Sequence, residues 1–170
     1  ENYLAISEKP DGVVPLSKAK IDWARTLAWA EGGYYSRLFM NVQGREPQGC
    51  ILRPDYERVR SEIRKKLEAT TDSRGNPLGT RAFRPEDVYS TINGVAPDLI
   101  VYFGDLAWRS IGSIGLNTLH TFENDMGADD ANHAEDGIFI MLDPGHRGIP
   151  QQNGKTGISI VDIAPTILNL

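Results

Sequence analysis

The sequence predicts an α/β fold on three observations. Leu99, Ile100, Val101, Tyr102 and Phe103 form a continuous apolar run, β-branched and aromatic, closed by Gly104 and Asp105. That is the pattern of a strand buried on both faces. Gly137, Ile138, Phe139, Ile140, Met141 and Leu142 make a second such run, ended by the Pro144-Gly145 turn. The third observation is a helical period: Val59, Ile63 and Leu67 recur at four-residue intervals and form one apolar stripe.

Taken in order, residues 1–32 read as a loop with short helical pieces. Pro10, Asp11, Gly12 and Pro15 punctuate it, and Ser17 is placed to cap a turn running into Ile21 and Trp23. Residues 34–42, from Tyr34 and Tyr35 to Val42, predict a strand ended by Gln43-Gly44. Arg53-Pro54-Asp55 opens the helix. Proline suits its first position, and Asp55 and Glu57 sit near the positive end of its dipole. Arg58, Arg60, Arg64, Lys65 and Lys66 fill the rest of the helix surface and are expected as a solvated basic face, the alternative being a phosphate-binding patch. Residues 72–77 predict a turn, and residues 84–89 a turn or helix start. A polar, Gly-rich stretch covers residues 110–136. The tail predicts a helix beginning near Asp162, with Pro165 in its first turn, where a missing N–H costs little.

A chain of 170 residues with 40% hydrophobic and 24% charged content suits one soluble domain. A net charge of -5 argues against binding a nucleic-acid duplex, which needs clustered positive charge. It leaves room for a small anionic substrate, since a bound metal reverses the local field. No apolar run approaches the ~20 residues that span a bilayer. The sequence fixes no compartment, and a soluble, cytoplasmic setting is the default expectation. The one cysteine, Cys50, has no intrachain disulfide partner and is expected to be a small, semi-buried side chain. The chain opens at Glu1 and closes inside the apolar run that ends at Leu170, so it reads as a fragment.

Three histidines, His120, His133 and His146, are available, and His133 is the candidate metal ligand. Asp129, Asp130, Glu135 and Asp136 surround His133 just before the run 137–142. Sites collect at strand ends, and an imidazole there binds a transition metal through one nitrogen while a carboxylate fixes the other. The alternative is a solvated acidic loop. His120 reads as an ordinary semi-buried or surface residue. His146 lies in a turn, either solvated or touching an anion. No GxSxG elbow, Walker loop or dinucleotide fingerprint is present.

Residues 133–140 match the pattern H-x-x-D-G-I-F-I, and the segment resembles that of the type I phosphodiesterase/nucleotide pyrophosphatase group of the alkaline phosphatase superfamily. Residues 159–168 resemble the family's S-I-x-D-I-A-P-T-I-L helix. Residues 41–49 (Asn41, Arg45, Glu46, Pro47, Gly49) with 96–101 (Pro97, Asp98) are similar to a subgroup of phosphohydrolases or phosphomutases of that superfamily. The likeness runs from about Trp23 to the end.

The resemblance implies one partial domain over 1–170. This would be the C-terminal part of an alkaline-phosphatase-like α/β sandwich, with a lid-like insertion at about 43–97. It implies a phosphohydrolase or phosphodiesterase acting on a small phosphate ester through two divalent metals, zinc in this branch. His133 falls where the family has its last metal-ligating histidine. Asp136 is expected either to orient the loop or imidazole or to serve the turn. Arg45 and Glu46 either border a substrate pocket or form an ordinary ion pair. The family's nucleophile, early aspartate and Asp-His-Gly segment are not found in this chain, and one histidine does not hold a catalytic zinc. The chain alone is therefore expected to be inactive, and metal-free or a weak metal binder. Two other readings stay open: a phosphomutase, or a binding domain that has lost the site. Exposed sheet edges predict that the fragment self-associates as a homodimer.

Overall fold

The computed structural model describes residues 3–123, 131–140 and 159–168. The chain divides into two units, Glu1–Asp136 and Gly137–Leu170.

The first unit mixes helices with two antiparallel sheets. Its main sheet has four strands: β2 (Ala28–Glu31), β3 (Ser36–Met40), β4 (Arg81–Phe83) and β5 (Leu99–Tyr102). Their spatial order is β2-β3-β5-β4, and every neighbouring pair runs antiparallel. The small sheet pairs β1 (Val14–Pro15) with β6 (Ser113–Ile114). The expected strand at 99–103 is present as β5, an inner strand, and Leu99, Ile100 and Val101 are all buried. A mixed α/β content holds, with antiparallel pairing throughout both sheets.

Helix α1 (Tyr56–Glu68) follows a 3₁₀ turn, Arg53–Asp55, that contains Pro54. Ile63 is buried, and Val59 and Leu67 pack half-buried against the same core. One face of the sheet supplies Ala28, Leu38, Met40, Ala82, Leu99 and Val101 to that core. This is the alternation that a pleated strand imposes. Val42 and Ile51 close the cluster across a single parallel bridge.

Four expectations need correction. Strand β2 lies where only loop and short helical pieces were expected, because pairing with β3 overrides the weak strand propensity of its alanines. The strand expected at 34–42 is confined to Ser36–Met40. Residues 137–140 form no strand among the described residues, and Ile138 and Ile140 are 93% and 88% exposed. An apolar run becomes a strand only when a partner supplies hydrogen bonds. Residues 141–142, the rest of that expectation, lie outside the described residues. Finally, Arg60 is not part of a solvated face: it is 5% exposed and pairs with Glu57 and Glu86.

Residues 43–97 contain α1, β4 and the short helix α2 (Pro85–Val88), and β4 joins the main sheet. Its edges are therefore β2 and β4. In the second unit, helix α3 (Ile163–Leu168) follows a 3₁₀ turn, Ile160–Asp162. The Asp162 carboxylate accepts the Ser159 N–H at 3.1 Å, and Pro165 falls in the first turn of α3. No helix of the described residues is long and apolar enough to cross a membrane.

Candidate functional site

Four contacts fix the segment that carries His133. At one end, Arg109 Nη2 donates to the Ala131 carbonyl, and Asn132 Nδ2 donates to the Leu106 carbonyl. At the other, Arg81 of β4 pairs with Glu135, Nη2 to Oε2, at 2.8 Å. The same guanidinium pairs with Asp105 and lies over Phe83 and Tyr102, 5.3 and 5.8 Å from their ring centroids. Hydrogen bonding to Glu135 above all, against the opposing effect of desolvation, holds Arg81 above its ordinary pKa.

The fourth contact is aromatic. The His133 imidazole stacks on Tyr34 with ring centroids 3.9 Å apart and planes 18° from parallel. The Arg109 guanidinium carbon lies 4.5 Å from the centroid of the same Tyr34 ring. The imidazole itself is exposed, and among the described residues neither ring nitrogen has a hydrogen-bond partner. One exposed imidazole with both nitrogens open fits a single metal ligand.

The loop beneath the segment is strained. Asp105 and Leu106 take φ values of 54° and 70°, a left-handed backbone that costs a non-glycine residue roughly 1–2 kcal/mol. Leu106 is buried nonetheless, and its carbonyl receives the Asn132 side chain.

Other residues singled out in the sequence fall elsewhere. The carboxylate expected to fix the second nitrogen of His133 is absent among the described residues. Glu135 is engaged by Arg81, and Asp136 makes no hydrogen bond to the imidazole. Asp129, Asp130 and His146 lie outside the described residues. His120 is semi-buried beside Trp108, with ring centroids 5.3 Å apart. Among the described residues its buried Nε2 has no partner. Trp108, Arg109 and His120 share a cleft of about 410 Å³. No group of three His, Cys, Asp or Glu side chains gathers among the described residues. Tyr34, Arg81 and Arg109 carried no signal in the sequence, since each reaches the segment from far along the chain.

Arg45 and Glu46 form the ion pair allowed for by the sequence, Nε to Oε1 at 2.6 Å, within a larger cluster. Asp98, buried just before β5, accepts two hydrogen bonds from Arg45, each 2.7 Å long. It also accepts the Met40 N–H at 2.6 Å and the Tyr56 hydroxyl at 2.5 Å. Burial, then hydrogen bonding to Asp98, pushes the Tyr56 phenol up to about 12. The hydrogen bonds to Asp98 also raise the Arg45 guanidinium pKa, outweighing desolvation. The two stretches 41–49 and 96–101 are therefore joined in space by an ionic and hydrogen-bonded cluster.

No family model, curated protein or solved structure matches this chain.

Proposed function

We propose that this chain is the C-terminal portion of a metal-dependent phosphohydrolase of the alkaline phosphatase superfamily, with His133 ligating one of two divalent metal ions. The observation that carries the reading is the exposed imidazole, seated flat on Tyr34 in a segment tied down on both sides. Metal ligands need that fixity, because a free loop spends affinity on being ordered. The order of the three sequence segments supports the same family.

In this reading the metals, zinc by preference, stabilise the entering and leaving oxygens of a phosphate-ester substrate. His133 supplies one nitrogen donor, Tyr34 holds its ring plane, and Arg109 fixes the backbone two residues before it. Three protein ligands are usual for a catalytic zinc. The family's nucleophile and its Asp-His-Gly segment are not found in this sequence, so in this reading they are supplied from outside it, and the chain alone turns over no substrate. A phosphomutase of the same superfamily would use the same histidine.

The test is hydrolysis of bis-p-nitrophenyl phosphate by the full-length protein that carries this chain. Turnover lost on chelation, restored by zinc and reduced at least a hundredfold by His133→Ala supports the reading. Turnover indifferent to both treatments rejects it.

A further inference from the structure

A second pocket, of about 300 Å³, is bounded by Trp23, Trp29, Asn41, Glu46, Pro47 and Gln48. We propose that it binds a small organic cation bearing a methylated ammonium group. This inference stands apart from the reading of His133.

The indoles of Trp23 and Trp29 meet at 82° with centroids 5.1 Å apart, so their planes form a corner. Trp29 is braced by Phe39, its cross-strand partner, which stacks at 5.6 Å and 19°. Trp23 sits on a 3₁₀ turn, Trp23–Arg25, and its carbonyl accepts the Asn41 side chain at 2.7 Å. The two indoles meet edge to face and both line the pocket, and an aromatic face attracts a cation.

Charge favours the same occupant. Glu46 lines the pocket; Arg45, Glu46 and Asp98 together carry one net negative charge, from one cation and two anions. Asn41, 1% exposed, gives its Nδ2 hydrogens to Trp23, Thr26 and Gln48 carbonyls. Among the described residues its Oδ1 accepts no hydrogen bond, and Asn41 is one of the residues that line the pocket.

The hydrogen bonding also selects between cations. Glu46 Oε2 already accepts the Val42 N–H at 2.7 Å, and Oε1 accepts from Arg45 at 2.6 Å. A primary ammonium must place three N–H groups, and each oxygen of the carboxylate already accepts one hydrogen bond. A methylated ammonium has none to place. It gains from aromatic faces and from the field of the carboxylate.

The probe is choline, titrated into the 170-residue chain and followed by tryptophan fluorescence, beside its neutral isostere 3,3-dimethyl-1-butanol and the primary amine ethanolamine. Choline is expected to saturate the signal, with the other two at least about tenfold weaker. Trp23→Leu should remove the response and Trp23→Phe retain part of it. Equal affinity for choline and the neutral alcohol would overturn the proposal, as would no saturable response from the folded wild-type chain. The comparison of ligands on the wild-type chain needs no variant to fold. Trp23→Leu binding choline like wild type, in a variant shown to be folded by circular dichroism, overturns it as well.

Discussion

Arg45 grips Asp98 with both arms of its guanidinium, Nη1 to Oδ1 and Nη2 to Oδ2, each at 2.7 Å, and so ties the loop after β3 to the start of β5. Asp98 is 3% exposed, and the Met40 N–H and Tyr56 hydroxyl share its remaining acceptor capacity. Four donors on one carboxylate make the residue's charge tolerable in the interior.

Replacing Asp98 by alanine therefore strands the buried Met40 N–H and the Tyr56 hydroxyl, and leaves Arg45 with Glu46. The expected cost is about 1–3 kcal/mol for each donor left without an acceptor, read as a fall in the urea midpoint at unchanged slope. Arg45→Ala should cost less, because its side chain is 42% exposed and its loss leaves Asp98 still held by Tyr56 and Met40.

Ile63 is the point where α1 enters the core at 3% exposure. Ile63→Ala is expected to destabilise by about 2–5 kcal/mol, most of it as transfer and cavity cost. Val59→Ala, half-buried on the same stripe, should lose less in the same denaturation experiment.

The Tyr56 phenol carries a prediction about alkaline pH. Its pKa rises from 10.0 to about 12 through burial and then the hydrogen bond to Asp98. The folded state thus holds the proton more tightly than the unfolded state. That stabilisation is fully present below the unfolded value and is lost as pH climbs through the folded one. The unfolding free energy of wild type should fall more steeply between pH 10 and 12 than that of Tyr56→Phe. Parallel curves for the two proteins would contradict the assignment.

Arg81 anchors the far end of the His133 segment through Glu135. Arg81→Ala should speed amide exchange at 132–135 while leaving the β5 amides protected. Unchanged exchange in the segment would show that Asn132 and Arg109 hold it unaided.

The legible parts of the fold were those with local causes. The stripe of Val59, Ile63 and Leu67, with Pro54 before it, placed α1 because a helix buries one face at a fixed spacing. The run from Leu99 placed β5. Residues 137–140 carry an equally apolar pattern and form no strand, since composition reports the wish to be buried and not the partner. Strand β2 was hidden by the converse: Ala28, Trp29, Ala30 and Glu31 have little strand character until β3 pairs with them. At the candidate site, His133 was legible as a motif residue. Tyr34, Arg81 and Arg109 were not, because stacking and ion pairing between distant segments leave no spacing to read.

The central claim is that His133 is a metal ligand, and zinc stoichiometry tests it most directly. Wild-type and His133→Ala forms of the full-length protein would be loaded, dialysed and assayed for bound zinc. The account predicts two zinc ions per wild-type chain and loss of at least one in the variant, with the fold intact by circular dichroism. Equal zinc in the two proteins would contradict it, and the shared segments would then be marks of fold alone.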